Sequence, residues 1–353
     1  VQEADLARTF PGRTAALVRI VAEIKDRKPA LLNAIQDNVF RGPIKELAKL
    51  NLAKPTFLSA ADFNGDQQSD LLVGTDAGPR LLLGSDKGFV DASEPWGLKS
   101  SPAPSQPIGL GDINSDGKPD LFLSSTIWIN QGNTFIPFGK ADLPGGGAIL
   151  AIAFADATSD KLADLLVLQS TGQVTALVNP GKTGQTWAPR PLVKLWDAPA
   201  DAPLAATFGY WDDDDSICIL AVRNDGVLRY ALNNTTPAAD FRRLTGEKPE
   251  AFRKAFPNGL KAATALAGDF TADGRPDCLI VSDNGALLLV NRGFGAYFVN
   301  PDISAALRPS ADRPVPFNLS SSLRYACVTS PQALLVLRDD GTLYQVPNAP
   351  PKP

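Results

Sequence analysis

The residues in this chain with the clearest capacity for chemistry are carboxylates at fixed spacing. The stretch Asp62-Phe-Asn-Gly-Asp-Gln-Gln-Ser-Asp70 puts side-chain oxygens at positions one, three, five and nine: Asp62, Asn64, Asp66 and Asp70. Alternation along a tight loop turns the odd positions to one side, and Gly65 relieves the turn. A hard cation such as Ca2+ takes about six to eight oxygens from carboxylates, amides, carbonyls and water, at roughly 2.3–2.6 Å. One such stretch is a weak signal, because turns favour Asp, Asn and Gly in any case.

The pattern recurs. Asp112, Asn114, Asp116 and Asp120 repeat it, then Asp156, Thr158, Asp160 and Asp164, then Asp269, Thr271, Asp273 and Asp277. Each copy runs directly into an apolar segment such as Leu71-Leu-Val or Leu165-Leu-Val-Leu, so the last Asp falls where the loop becomes a strand. Two further stretches echo the spacing. Tyr210 to Cys218 is acidic at Asp212–Asp215 but has no settled register, and Tyr325 to Ala333 has lost every carboxylate. The alternative for each corner is a metal-free turn in which Asp and Asn side chains bond their own backbone. A period of about 50 residues, with short strands between the corners, is the signature of a repeat architecture and fits propeller blades.

Composition removes several kinds of chemistry. The chain has 353 residues, a formal charge of −4 and no His or Met. Its pI is about 5.1, which does not favour a nucleic-acid surface. Without His there is no Ser-His-Asp triad, no His-ligated zinc and no imidazole acid–base catalysis. Gly181-Lys182-Thr183 resembles the end of a phosphate loop, but Ala176 stands where the first Gly is required. No G-x-S-x-G occurs. The acids at Asp212–Asp215 are better read as a degenerate cation loop or a solvated turn than as a glycosidase pair. Cys218, Cys278 and Cys327 fall in expected strands as small buried hydrophobes. No apolar run is long enough to span a bilayer, and no secretory h-region or initiator Met stands at the start, which suggests a processed or trimmed product.

The elements that must position the corners are mostly strands. Residues 1–54 read instead as helical, with Leu17, Ile20, Val21 and Ile24, then Leu31, Leu32, Ile35 and Val39, then Ile44, Leu47 and Leu50 at helical spacing. They predict a helical hairpin docked on the next domain; a partner-binding or membrane-surface helix is the alternative. From Pro55 the helical period disappears, and four-strand units follow up to about residue 347, each carrying one corner or its echo. Residues 235–262 read as a partly helical, basic insertion, either a solvated face or a docking site, and 348–353 as a Pro-rich tail. The last unit lacks its outer strand. A segment before Pro55 could supply it and remove an exposed edge.

These units resemble FG-GAP or VCBS repeats, the calcium-loop blades also found in integrin α chains. Phe89-Val-Asp-Ala-Ser-Glu-Pro-Trp-Gly-Leu98, Trp128-Ile-Asn-Gln-Gly-Asn-Thr-Phe135 and Val290-Asn-Arg-Gly-Phe-Gly-Ala-Tyr-Phe298 are similar to phrases of cartilage-acidic-protein-like, ASPIC/UnbV-associated propellers. The resemblance implies an all-β propeller of six four-stranded blades, with seven left open, after a short N-terminal α-helical segment. It implies Ca2+ at Asp62, Asn64, Asp66 and Asp70, at Asp112, Asn114, Asp116 and Asp120, and at the two Thr-bearing corners. Gln68, Lys118, Leu162 and Arg275 would add backbone carbonyls. The expected function is a non-catalytic, calcium-stabilised scaffold that binds protein partners outside the cytoplasm, in the periplasm, at the cell surface or secreted. A lectin-like sugar binder, with Trp96, Trp128, Trp187, Trp196 and Trp211 as candidate pocket residues, is one alternative; a polysaccharide lyase is a second.

Overall fold

The computed structural model describes residues 39–348, apart from 53–54, 99–107, 198–201, 212–216, 225, 233–238, 244–249, 261–262, 272, 283–284, 293–296, 301–302, 304–306, 308–325 and 330–332. The two helices expected before Val39, the acids Asp212–Asp215, and residues 325 and 330–332 of the last echo lie outside the described residues.

The described residues form six four-stranded antiparallel sheets. Strand β1 (Lys45–Lys49) comes first but belongs to the last sheet. Blade one holds β2 (Pro55–Ala61), β3 (Asp70–Thr75), β4 (Gly78–Ser85) and β5 (Gly88–Asp91). Blade two holds β6 (Gly109–Gly111), β7 (Asp120–Leu123), β8 (Thr126–Asn130) and β9 (Phe135–Lys140). Blade three holds β10 (Ile149–Ala155), β11 (Asp164–Gln169), β12 (Gln173–Val178) and β13 (Ala188–Lys194). Blade four holds β14 (Ala205–Gly209), β15 (Cys218–Arg223), β16 (Gly226–Leu232) and β17 (Ala239–Arg243). Blade five holds β18 (Thr264–Gly268), β19 (Asp277–Ser282), β20 (Gly285–Asn291) and β21 (Tyr297–Asn300). Blade six holds β22 (Ala326–Thr329), β23 (Ala333–Leu337), β24 (Thr342–Pro347) and β1.

The second strand of each blade shows why the sheets stack. Strands β3, β11, β19 and β23 are buried at every residue, and all but a leading Asp and a closing Thr75, Gln169 or Ser282 are apolar. Continuous apolar runs of this kind belong to strands covered on both faces. Six buried clusters lie between successive blades. One joins Phe63 and Leu72 to Leu121 and Phe135, and the last joins Leu335 and Leu343 of blade six to Leu58 and Leu71 of blade one. The others fill the four remaining gaps, so the ring closes. First strands converge on the axis and carry small residues. Gly111 is already crowded there, because an added Cβ would sit 2.9 Å from the Phe154 side chain.

Two sequence expectations are corrected. Residues 45–49 form a strand paired antiparallel to β24, not a third helix. The register breaks between Glu46 and Ala48, so Leu47 is the extra residue of a bulge. A bulge interrupts the two-residue alternation, which is why Ile44, Leu47 and Leu50 mimic helical spacing. The missing outer strand of blade six therefore comes from before Pro55, as expected, and the propeller begins earlier than residue 55. The basic insertion is corrected in part: Ala239–Arg243 is the outer strand of blade four, while its helical reading holds further on. Helix α1 (Glu250–Ala255) follows it, with Arg253 and Lys254 exposed and Phe252 and Ala255 buried between blades four and five, alongside Phe256.

Candidate functional site

The first three acidic corners share one backbone conformation, and the fourth, whose position four lies outside the described residues, matches them at position six. Position four is left-handed at Gly65, Ser115 and Ser159, with φ of 79°, 60° and 63°. Position six is left-handed at Gln67, Gly117, Lys161 and Gly274, with φ of 67°, 80°, 70° and 83°. L-residues other than Gly, Asn and Asp rarely enter this region, so its recurrence at Ser, Gln and Lys marks a shared loop geometry.

The position-one carboxylate organises each loop. Asp62 accepts the N–H groups of Gly65, Asp66 and Gln67 at 2.7, 3.1 and 2.8 Å. Asp112, Asp156 and Asp269 likewise accept the N–H groups of positions five and six. Position three supports position five: Asn64 and Asn114 donate their side-chain amides to Asp66 and Asp116 at 3.0 and 3.2 Å.

Position nine differs. Asp70, Asp120, Asp164 and Asp277 are fully buried. Each carboxylate takes the N–H of position two on one oxygen and an N–H at or near the end of the third strand on the other. The partners are Phe63 and Gly84, Ile113 and Asn130, Ala157 and Asn179, and Phe270 and Asn291, all at 2.8–3.1 Å. These residues tie the corner to the sheet. Burial pushes the Asp120 carboxyl up to about 6 and Asp277 up to about 7, with the neighbouring position-five charges adding to the rise and the backbone N–H groups opposing it. Asp70 and Asp164 are raised for the same reasons.

Each corner thus gathers like charges around a buried carboxyl. Side chains of position seven answer part of this charge, with Lys118 Nζ 3.6 Å from Asp116 and Arg275 Nη1 3.9 Å from Asp273. The donor set is all oxygen, which suits a hard divalent cation rather than zinc or copper. Thr158 Oγ1, at position three of the third corner, is buried without a well-formed hydrogen bond, although it lies close enough to Asp164 to ease its ionisation. Thr271 instead turns its hydroxyl onto Asp277 at 3.1 Å. Among the described residues no three Asp, Glu or Cys side chains stand at metal-coordinating spacing, the corner carboxylates being engaged with backbone N–H groups. A carboxylate oxygen has lone-pair capacity beyond one such bond, so the residues present fit the cation while also supporting a loop held by hydrogen bonds alone.

Sequence reading missed a second set of residues. Asn130 donates its side-chain amide to Phe63 O of the preceding blade at 2.9 Å and accepts Gly132 N at 2.7 Å. Asn291 reaches Trp211 O at 2.9 Å, and Asn348 reaches Phe270 O at 2.8 Å. Each Asn clamps the second position of the neighbouring corner or of its acidic echo. Asn179 stays within its own blade, on Ala163 O at 3.2 Å. The available signal was Asn-x-Gly after the third strand, at Asn130-Gln-Gly and Asn179-Pro-Gly.

The five tryptophans do not assemble a face pocket. Trp96, Trp187, Trp196 and Trp211 are buried in four different inter-blade clusters, and Trp128 packs against the first of these. Among the described residues no helix is long and apolar enough to cross a membrane. Cys218 and Cys278 are buried free thiols, as expected, and Cys327 is free and half-buried.

Residues 62–123 match the FG-GAP-like repeat family. Among solved structures, an Agrocybe aegerita lectin specific for non-reducing terminal N-acetylglucosamine is similar with a TM-score of 0.50 and 14% identity, over 84% of this chain and 81% of that one. BBS1N, solved in complex with ARL6DN, aligns with a TM-score of 0.45 and 13% identity, over 88% and 98%. No curated protein matches the chain. The described residues form a six-bladed β-propeller, and one stretch of it, residues 62–123, is an FG-GAP-like repeat.

Proposed function

We propose that this chain is a non-catalytic, calcium-stabilised propeller that serves as a protein-binding accessory subunit outside the cytoplasm. The observation that carries the reading is the recurrence of one all-oxygen corner in four blades, left-handed at position six in each. Asp62, Asn64 and Asp66 would hold one ion with Asp70 and the Gln68 carbonyl. The corners beginning at Asp112, Asp156 and Asp269 would do the same with Lys118, Leu162 and Arg275 as carbonyl donors. The cation relieves the repulsion among the carboxylates and fixes the corner to the sheet. Because it binds only the folded loop, its binding energy stabilises the blade.

Extracellular calcium modules work at Kd values of about 10⁻⁴–10⁻³ M. Loops of that affinity fill outside the cytoplasm and stay empty within it, which is the argument for the location. A chain with no His lacks the commonest acid–base group, and its carboxylates are committed to loop geometry, so a binding role fits better than a hydrolytic or lyase one. Calorimetric titration of the full chain with calcium, followed by cross-linking of the calcium-loaded protein in its native extract, tests both halves. Saturable binding to several sites and one reproducible partner support the reading. Elimination or hydrolysis on a glycan panel would overturn it.

A further inference from the structure

The corners occupy one end of each blade. The opposite end of blade one holds a cavity of about 400 Å³ whose walls include Pro79, Arg80, Asp91, Ser93, Glu94 and Pro95. Its placement follows from register. Ala61 pairs with Asp70 at the corner end, and Thr75 pairs with Gly78 at the other end, so the turn before Pro79 lies a full strand away from the acidic loop.

We propose that this cavity is a binding site for a neutral polyhydroxylated ligand, a sugar residue at the end of a glycan. Asp91 faces Leu82 across the strand pair, and Arg80 lies two residues from Leu82, so Arg80 and Asp91 share one face of the sheet. They form an ion pair. Asp91 Oδ1 also accepts the N–H and the hydroxyl of Ser93 at 2.9 and 2.5 Å, and Ser93 Oγ accepts Leu81 N at 3.0 Å. The polar wall is therefore fixed before any ligand arrives, which lowers the ordering cost of binding.

Charge balance selects the ligand. An anion would meet Asp91 and Glu94, and an isolated cation would meet Arg80. A neutral ligand with adjacent hydroxyls satisfies all three, because each hydroxyl both donates to carboxylate and accepts from guanidinium. The ion pair leaves guanidinium donors to spare, since Arg carries five N–H groups. Pro79 and Pro95 offer apolar surface to the C–H face of a ring. The volume lies within the range of small-molecule sites and exceeds what one sugar ring fills, leaving room for part of the next residue. With the tryptophans interior, this cavity offers a sugar polar and apolar walls without an aromatic platform. It stands apart from the calcium corners, so its failure leaves that reading untouched.

The test is saturation-transfer NMR on the full chain with a panel of free neutral monosaccharides and of reducing-end-blocked oligosaccharides. Two variants accompany it: Arg80→Ala removes one side of the ion pair, and the exposed Glu94→Gln leaves the sheet bonds intact. The expected result is saturable transfer from at least one sugar, competed by unlabelled ligand and weakened about tenfold or more in both variants. Oligosaccharide binding stronger than monosaccharide binding identifies a chain end as the source. Transfer from no sugar in the panel, binding unchanged in Glu94→Gln, or preference for a basic peptide over every sugar overturns the proposal.

Discussion

Phe40 donates its backbone N–H to Asn348 Oδ1 at 3.0 Å, although 308 residues separate them. In blade two the same acceptor role is local, since Asn130 Oδ1 takes the N–H of Gly132 two residues on. Phe40 packs edge-on against Phe270 with ring centroids 5.3 Å apart, as Phe135 packs on Phe63 at 6.0 Å. Blade six thus rebuilds the turn between its third and outer strands from two distant parts of the chain. Gly42 N on Pro347 O at 2.9 Å and the β1–β24 pairing complete the closure.

That closure gives the first prediction. Asn348→Ala removes the bonds to Phe40 and Phe270 and should lower unfolding free energy by about 1–3 kcal/mol. Deleting residues 1–50 strips β24 of its partner and exposes a long edge, so the truncated chain should aggregate. Urea melts and light scattering read the two effects. An unchanged melt for Asn348→Ala would show that the closure contributes nothing.

Position nine and positions one to five should separate by their response to calcium. Asp120→Ala leaves the N–H groups of Ile113 and Asn130 buried without acceptors. It should cost about 2–4 kcal/mol in EDTA as well as in calcium. Asp116→Ala removes an exposed carboxylate and its bonds to Lys118 N–H and the Asn114 amide while relieving repulsion on Asp120, so its penalty should be small in EDTA and clearly larger in calcium-containing buffer. Paired melts of the two variants, with and without chelator, check this division.

Backbone strain supplies a third test. Gly117 sits at φ 80° with nothing within 4 Å of where a Cβ would stand. Gly117→Ala should therefore cost about 1–2 kcal/mol through the left-handed penalty alone. Lys161 adopts φ 70° in the equivalent position of the third corner. Lys161→Gly should be neutral or stabilising by up to about 1 kcal/mol, the relief of strain outweighing the added entropy of the unfolded chain. Chemical denaturation of both variants gives the comparison.

The Asn clamp yields a fourth. Asn130 holds Phe63 O in blade one while its own N–H rests on Asp120 in blade two. Asn130→Ala should loosen the corners at Asp62 and Asp112 together. Hydrogen exchange at Gly65, Gln67, Asp116 and Gly117 should quicken in the variant, with the Asp269 corner unchanged. Acceleration restricted to blade two would contradict the clamp.

Most of the strand framework was legible because burial on both faces leaves a direct trace in composition. Asp164-Leu-Leu-Val-Leu-Gln169 has no other plausible environment than a covered second strand, and its bounds were read correctly. Position nine was legible as the first residue of a strand, but its bonds were not. The N–H of Gly84 meets Asp70 only after β3 and β4 pair. Lys45–Lys49 misled because a bulge at Leu47 imitates helical spacing, and the unpaired edge of β24 then outweighs local preference. The tryptophans were read as surface candidates by residue type, whereas wedge-shaped gaps between radiating sheets call for large side chains; Trp187 and Trp211 are wholly buried there. The Asn residues went unassigned because their carbonyl partners lie in the neighbouring blade.

The most direct test of the central claim is the melting temperature of the full chain in EDTA and in about 10 mM calcium, compared with a variant carrying Asp62→Ala and Asp112→Ala. At a hundredfold excess over Kd, each filled loop contributes about 2.7 kcal/mol, so the account predicts a rise of several degrees in calcium for the parent chain and a markedly smaller rise for the variant. An identical melting temperature with and without calcium, or an equal rise in the variant, would contradict it.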